Sequence, residues 1–308
     1  NVIYFAYFAP YSHEMHLDLI ARCMMVPNTH VRSLGKSLDG RDIDLITVGH
    51  GPRKIWIQAR QHPGEVMAEW FMDGLLDRLL NPSDPVAAKI LLEATVFLIP
   101  NVNPDGSFRG HLRTNAIGSN LNREWGPTGD YQAPTLERSP ECYYITQETI
   151  KQGCDFFLDV HGDEAIPHNF LTSMMGNPRW GERLQRLEGM VKGYWMSINP
   201  DFQVEHDYGP EAPGSANLAL GAASMCFRHD CPAFTLEMPF KDANDNPMPE
   251  CGWSPDRSKI FGASFLDVLL HVLPHLREYL WTKLWADLQP GPSIILASIH
   301  CDALWFVA

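Results

Sequence analysis

The 308-residue chain contains no run of about 18 apolar residues, so no membrane-spanning helix is expected. Positive charge is scarce: 24 Lys and Arg stand against 37 Asp and Glu, a formal net charge of −13. With no basic stripe to offset that excess, phosphate backbones are repelled and nucleic acid is not an expected partner. Cysteine is thin and scattered, at positions 23, 142, 154, 226, 231, 251 and 301, with no CxxC pair. That pattern disfavours cysteine zinc sites and thioredoxin-type exchange, and it reads as reduced thiols in a cytoplasmic protein. Also missing are a GxSxG elbow, a phosphate-binding P-loop and a GxGxxG fingerprint, which removes the common serine-hydrolase and nucleotide readings. No internal repeat stands out. The first residue is Asn1 rather than Met, so a preceding segment is expected to be missing.

What remains is ordinary for a globular protein: 45% apolar and 20% charged residues, in a length that suits one large α/β domain. Residues 44–49 and 53–60 read as strands around the turn His50-Gly51-Pro52. Residues 65–80 carry apolar side chains at helical spacing and stop at Asn81-Pro82. A short helix over 85–92 and a strand over 94–99 follow. Residues 101–140 read as loop, and a loop of that length in a compact domain is usually functional. Further helices are predicted over 141–152, near 179–195 and over 255–280, the last bent at Pro274. Strands are predicted over 155–160 and 233–237. Alternation of strands and helices indicates an α/β fold with a largely parallel, buried sheet. Residues 281–308, with Trp281, Trp285 and Trp305, have no clear partner in this scheme.

The chemistry concentrates at predicted strand ends. His62 follows one strand and Glu65 opens the next helix, with Pro63-Gly64 bending the chain between them. An imidazole and a carboxylate at this spacing can reach one metal ion. His161 ends a second apolar strand, Leu158-Asp159-Val160. Two histidines and a carboxylate are the three protein ligands of a catalytic zinc that keeps a fourth position open. Asp159 and Asp163 both lie close enough in sequence to orient His161. Glu237 ends a third apolar strand, Phe234-Thr235-Leu236, where an unpaired carboxylate is costly unless it faces a site mouth. Beside a zinc ion it is a proton acceptor for water. Between these segments Asn122-Arg123 pairs an amide with a guanidinium fork, which suits a carboxylate. His13-Glu14-Met15-His16 looks like a zincin helix, but its histidines are three apart rather than four. His168, His206 and His229 read as surface or pocket residues.

Five ordered motifs make the sequence resemble the zinc metallocarboxypeptidase family, and within it the cytosolic carboxypeptidase-like members of bacterial type. They are His62-Pro63-Gly64-Glu65, Asn103-Pro104-Asp105-Gly106, Arg113 with Asn122-Arg123, Leu158-Asp159-Val160-His161-Gly162, and Thr235-Leu236-Glu237. The opening Tyr4-Phe-Ala-Tyr-Phe-Ala-Pro-Tyr and the loop Gly118-Ser-Asn-Leu-Asn-Arg-Glu-Trp are similar too. The resemblance implies an α/β/α sandwich around a mixed, mostly parallel eight-stranded sheet. It implies one Zn2+ per chain on His62, Glu65 and His161, with Glu237 as general base. Arg113 matches the arginine that polarises the scissile carbonyl, and Asn122 and Arg123 match the pair that binds the terminal carboxylate of a peptide or protein substrate. Removal of acidic C-terminal residues is suggested as well, with Arg228 the candidate cation in the specificity pocket and an Arg228–Asp230 surface pair its bland alternative. Two departures stand out. Asn120 sits where the family often has Asp, and the tyrosine that closes over substrate has no clear counterpart, Tyr208 being a distant candidate. The expected organisation is a catalytic domain over 1–280, without the β-sandwich domain that precedes it in the cytosolic subfamily, and an extension over 281–308. Two other readings stay open: a zinc deacylase acting on N-acyl amino acids, and a non-catalytic zinc- or peptide-binding module.

Overall fold

The computed structural model describes residues 2–3, 5–127 and 131–277; Tyr4 and the 281–308 extension lie outside them. Its strands are β1 (Thr29–Lys36), β2 (Asp42–Val48), β3 (Arg53–Ala59), β4 (Ala94–Ile99), β5 (Phe156–Val160), β6 (Phe170–Leu171) and β7 (Ala233–Glu237). Its helices are α1 (His13–Met24), α2 (Met67–Leu79), α3 (Pro85–Glu93), α4 (Pro104–Arg109), α5 (Pro140–Gln152), α6 (Glu182–Ile198), α7 (Gly221–His229) and α8 (Pro255–Val272). Local chemistry accounts for several boundaries. Asp84 accepts hydrogen bonds from the Val86 and Ala87 amides and Pro85 opens α3, while Asn103 caps α4 and Gly110 ends it at φ 71°.

The strands form one sheet in the order β1-β2-β4-β3-β5-β7-β6. The α/β class holds, but the described residues give seven strands rather than eight, and the sheet is evenly mixed rather than mostly parallel. β4–β3, β3–β5 and β5–β7 are parallel, whereas β1–β2, β2–β4 and β7–β6 are antiparallel. β2 and β3 flank the His50-Gly51-Pro52 turn as expected, without pairing with each other. The His50 and Gly51 amides donate instead to the Leu91 and Ala94 carbonyls, which draws β4 in between. The helix expected to run to residue 280 ends at Val272 and gives way to a 3-10 turn over Leu273–His275 at Pro274, which has no N–H to donate.

β4, β5 and β7 are buried along their whole length, and β3 nearly so, as expected of central parallel strands covered on both faces. α2 and α8 run against each other at close range because Gly74 faces the Lys259 backbone and Gly262 faces the Phe71 backbone, where a Cβ would collide. Trp195 stacks on Phe261 at 4.5 Å and on Phe202 at 4.7 Å beside this pair. No helix among the described residues is long and apolar enough to cross a membrane.

Candidate active site

The three parallel neighbours β3, β5 and β7 point their C-terminal ends the same way, and all three deliver site residues there. His62 follows β3, His161 follows β5, and Glu237 is the last residue of β7. Glu65 lies just before α2, and the loop between it and His62 brings its carboxylate back over the sheet. The result is a buried cluster in which ligand atoms of His62, Glu65 and His161 all lie within 4.8 Å of one another. His62 Nδ1 is 2.6 Å from Glu65 Oε1, His161 Nδ1 is 2.7 Å from Glu65 Oε2, and the two Nδ1 atoms are 3.3 Å apart.

Both imidazoles turn Nδ1 inward because their other nitrogens are engaged. His62 Nε2 meets Asn120 Oδ1 at 2.9 Å, so the amide at this departure occupies the orienting place without a charge. His161 Nε2 lies 3.1 Å from Asp159 Oδ2, which settles the choice between Asp159 and Asp163. Asp159 is itself held by Gln58 and Gln61, and Gln61 Oε1 accepts from Trp125 Nε1 at 2.8 Å. Gln61 and Trp125 were not singled out by sequence, because a buried amide and indole leave no charge or spacing signal. A donor set of two inward-facing imidazoles and one carboxylate, with both outer nitrogens already bonded, fits a zinc ion.

Electrostatics bind the cluster together. Burial opposes ionisation of Glu65, but the two imidazoles facing it hold its carboxyl down at about 2. Burial likewise opposes a charge on His161, yet Asp159 and Glu65 keep its pKa well above the usual imidazole range. Glu237 behaves oppositely: burial pushes it up to about 8, with Glu65 and Asp163 adding to the effect and His161 opposing it. Its Oε2 is buried without a hydrogen-bond partner among the described residues.

A cavity of about 540 Å³ opens over this cluster, lined by His62, Glu65 and Glu237 and by Arg113, Asn122 and Arg123. Arg113 is half exposed, with its guanidinium 3.5 Å from His62 Nδ1 and 3.9 Å from Glu65 Oε1. Asn122 Oδ1 accepts from the Gly221 amide at 2.8 Å. Tyr208 lines the same cavity and donates its hydroxyl to Asp163 at 2.7 Å, which brings the distant candidate to the rim. Arg228 is not among the lining residues. In the last turn of α7 its guanidinium turns to the Trp125 carbonyl at 3.4 Å, while Asp230 pairs with Arg183, so neither the pocket role nor the Arg228–Asp230 pair is found. Of the remaining histidines, His168 stacks on His206 and bonds Asp245, and His16 is buried between Asp44 and Glu69.

Gly221 is required where it stands. A Cβ there would come within 2.7 Å of Asp159 Oδ2, 3.1 Å of Gln61 Nε2 and 3.3 Å of Trp125 Nε1. Gly221→Ala is expected to cost about 1–3 kcal/mol by overpacking the group behind His161. Thermal unfolding of the variant beside the parent measures this, and an unchanged midpoint would show that the group yields freely.

The sequence pattern of the zinc carboxypeptidase family matches residues 24–166, which hold the cluster and all three cavity residues between its histidines. A solved metallo-carboxypeptidase from Pseudomonas aeruginosa, in complex with (2-guanidinoethylmercapto)succinic acid, superposes with a TM-score of 0.84 at 46% identity over 88% of this chain and 71% of that one. The chain belongs to the zinc carboxypeptidase family. The chain is also 48% identical over 276 residues to an uncharacterized protein of Zymomonas mobilis, covering 90% of the chain and 71% of that protein. With mouse cytosolic carboxypeptidase 6 it shares 29% identity over 254 residues, 78% of the chain but only 46% of the mouse protein.

Proposed function

We propose that the protein hydrolyses the C-terminal peptide bond of peptides or proteins, with one Zn2+ held by His62 Nδ1, Glu65 and His161 Nδ1. The observation that carries this reading is the convergence of those three donors with Glu237 at the ends of neighbouring parallel strands. Bound zinc supplies Lewis acidity, which acidifies water and polarises a carbonyl. Glu237 accepts the proton of the attacking water, its bare Oε2 being the available acceptor, and passes it to the departing amine. Arg113 faces the oxygen on which charge develops, where a fixed cation in a sheltered site counts most. Asn122 and Arg123 hold the free carboxylate of the substrate, which restricts cleavage to the last residue. The succinic acid ligand of the Pseudomonas relative, itself a dicarboxylate, is in keeping with such an arginine-bearing site.

The terminal side chain would meet a neutral wall that includes Thr172, Met174, Ala222, Ala233 and Thr235. The cavity's arginines are Arg113 and Arg123, and Asp163, Glu164, Asp207 and Glu211 line it as well, so no dedicated cation for a C-terminal glutamate stands among the lining residues. A cytoplasmic setting is supported by the free thiols among the described residues, five of them buried and Cys251 exposed.

Metal analysis combined with a panel of peptides ending in Glu, Asp, Lys, Phe and Ala tests the proposal. About one zinc per chain and chelator-sensitive release of single C-terminal residues are expected. Release of internal fragments, or hydrolysis of N-acyl amino acids alone, would remove it.

A further inference from the structure

Behind the cluster lies a second buried ionic group with no part in the chemistry above. Arg60 is the residue that leaves β3 before Gln61 and His62, and its φ is 59°. An arginine in this left-handed region is strained, and the conformation persists only where surrounding contacts fix it. The side chain shows those contacts. Arg60 is 4% exposed, and its guanidinium donates to Glu69 Oε2 at 2.5 Å, to the Tyr11 carbonyl at 2.9 Å and to the Pro63 carbonyl at 3.0 Å. Glu69 is fully buried in α2 and has its other oxygen on His16 Nδ1 at 2.7 Å, while Asn101 Nδ2 donates to Oε2 at 3.2 Å.

The contact with Pro63 has a geometric meaning. The Pro63 carbonyl and the Gly64 amide belong to one rigid peptide plane, and that plane lies between the two ligands His62 and Glu65. Arg60 Nε holds its oxygen, and the Leu112 carbonyl accepts from its N–H at 2.8 Å. With both polar ends tied, the plane cannot rotate, and the spacing of the two ligand side chains is set by the backbone rather than by the metal.

We propose that Arg60, anchored by Glu69, is a positioning residue that preorganises the His62–Glu65 pair for metal binding by fixing the Pro63–Gly64 peptide. The proposal rests on the reading that His62, Glu65 and His161 hold zinc. The guanidinium's hydrogen bonds go to Glu69 and to the Tyr11 and Pro63 carbonyls, and Arg60 is not among the residues lining the cavity, so its link to the ligand pair runs through the Pro63 backbone.

Two variants separate this role from general stability. Arg60→Gly removes the guanidinium and leaves a residue at ease with φ 59°, and Arg60→Lys keeps a cation for Glu69 while giving up the fork that reaches Pro63. Zinc affinity is read by competition with a chromophoric chelator at a temperature where each metal-free variant is folded, and kcat and KM are read at saturating zinc. Both variants are expected to bind zinc about tenfold or more weakly, the range typical of lost outer contacts in metal sites. At saturating zinc kcat should fall while KM holds, since Asn122 and Arg123 are untouched. A folded Arg60→Lys with zinc affinity and kcat within twofold of the parent overturns the proposal, even if its melting temperature is lower. Should the Arg60 variants not fold, Glu69→Gln loosens the same guanidinium at constant shape and is read by the same criteria. A parent chain that fails to bind one zinc overturns the metal reading itself, which the parent's own titration distinguishes.

Discussion

Glu237→Gln is expected to lower kcat by about 10²–10⁴-fold, the usual contribution of a positioned proton acceptor, with zinc content unchanged. Glutamine keeps the shape of the side chain and removes its basicity, so a variant that still binds metal and peptide but does not turn over isolates the proton step. Retention of more than about a tenth of the parent kcat would assign the base elsewhere. A second readout needs no turnover. In the metal-free protein Glu237 is pushed from its ordinary 4.5 up to about 8, so at intermediate pH the folded state keeps a proton that the unfolded chain has released. Its contribution to stability is therefore complete below pH 4.5 and is lost as pH rises through about 8. The parent without metal should lose more stability across that window than Glu237→Gln does, as chemical denaturation at several pH values would show. Bound zinc places a nearby positive charge that favours the carboxylate, so the acidic limb of the pH–activity profile should fall below 8.

Arg113→Ala is expected to cost about 10²–10³-fold in kcat, the range seen when one preorganised donor to a developing oxyanion is removed. Its guanidinium stands beside both His62 and Glu65 yet remains half exposed, free to swing toward a substrate carbonyl. The loss should fall on kcat with KM nearly unchanged, because in the proposed mechanism Arg123 and Asn122, not Arg113, hold the substrate terminus. A variant whose KM rises while kcat stays constant would reassign Arg113 to uniform substrate binding.

His62, His161 and Glu237 stand out in the sequence because each lies at or just past the end of a largely apolar strand, and Glu65 because it follows His62 across Pro63-Gly64. β4 and β7 match their expected bounds of 94–99 and 233–237, since a short, largely apolar run between turn signals leaves little choice. What escaped was patterned by tertiary contact. The inward stripe of α1 is His16, Leu19, Ile20 and Cys23, a helical spacing that is visible only if His16 counts as core, and it is core because Glu69 and Asp44 receive it. β1 is an edge strand with a register shift between Ser33 and Lys36, and β6 is two residues long, so neither shows a clean alternation. Arg228 is absent from the cavity lining for a similar reason: proximity in sequence to β7 says nothing about the direction its side chain takes from the last turn of α7. Asn120 succeeded because its role needs only an acceptor.

The adjacency of β3, β5 and β7 has a temporal side as well. His62 and His161 are 99 positions apart. At roughly 5–20 residues per second, a growing chain exposes the first of them on the order of 5 to 20 s before the second is made. Until β5 docks beside β3 there is a half-site of two ligands, and until β7 docks beside β5 there is no proton acceptor. Hydrolytic competence thus arrives only after residue 237 has been made and most of the sheet is closed.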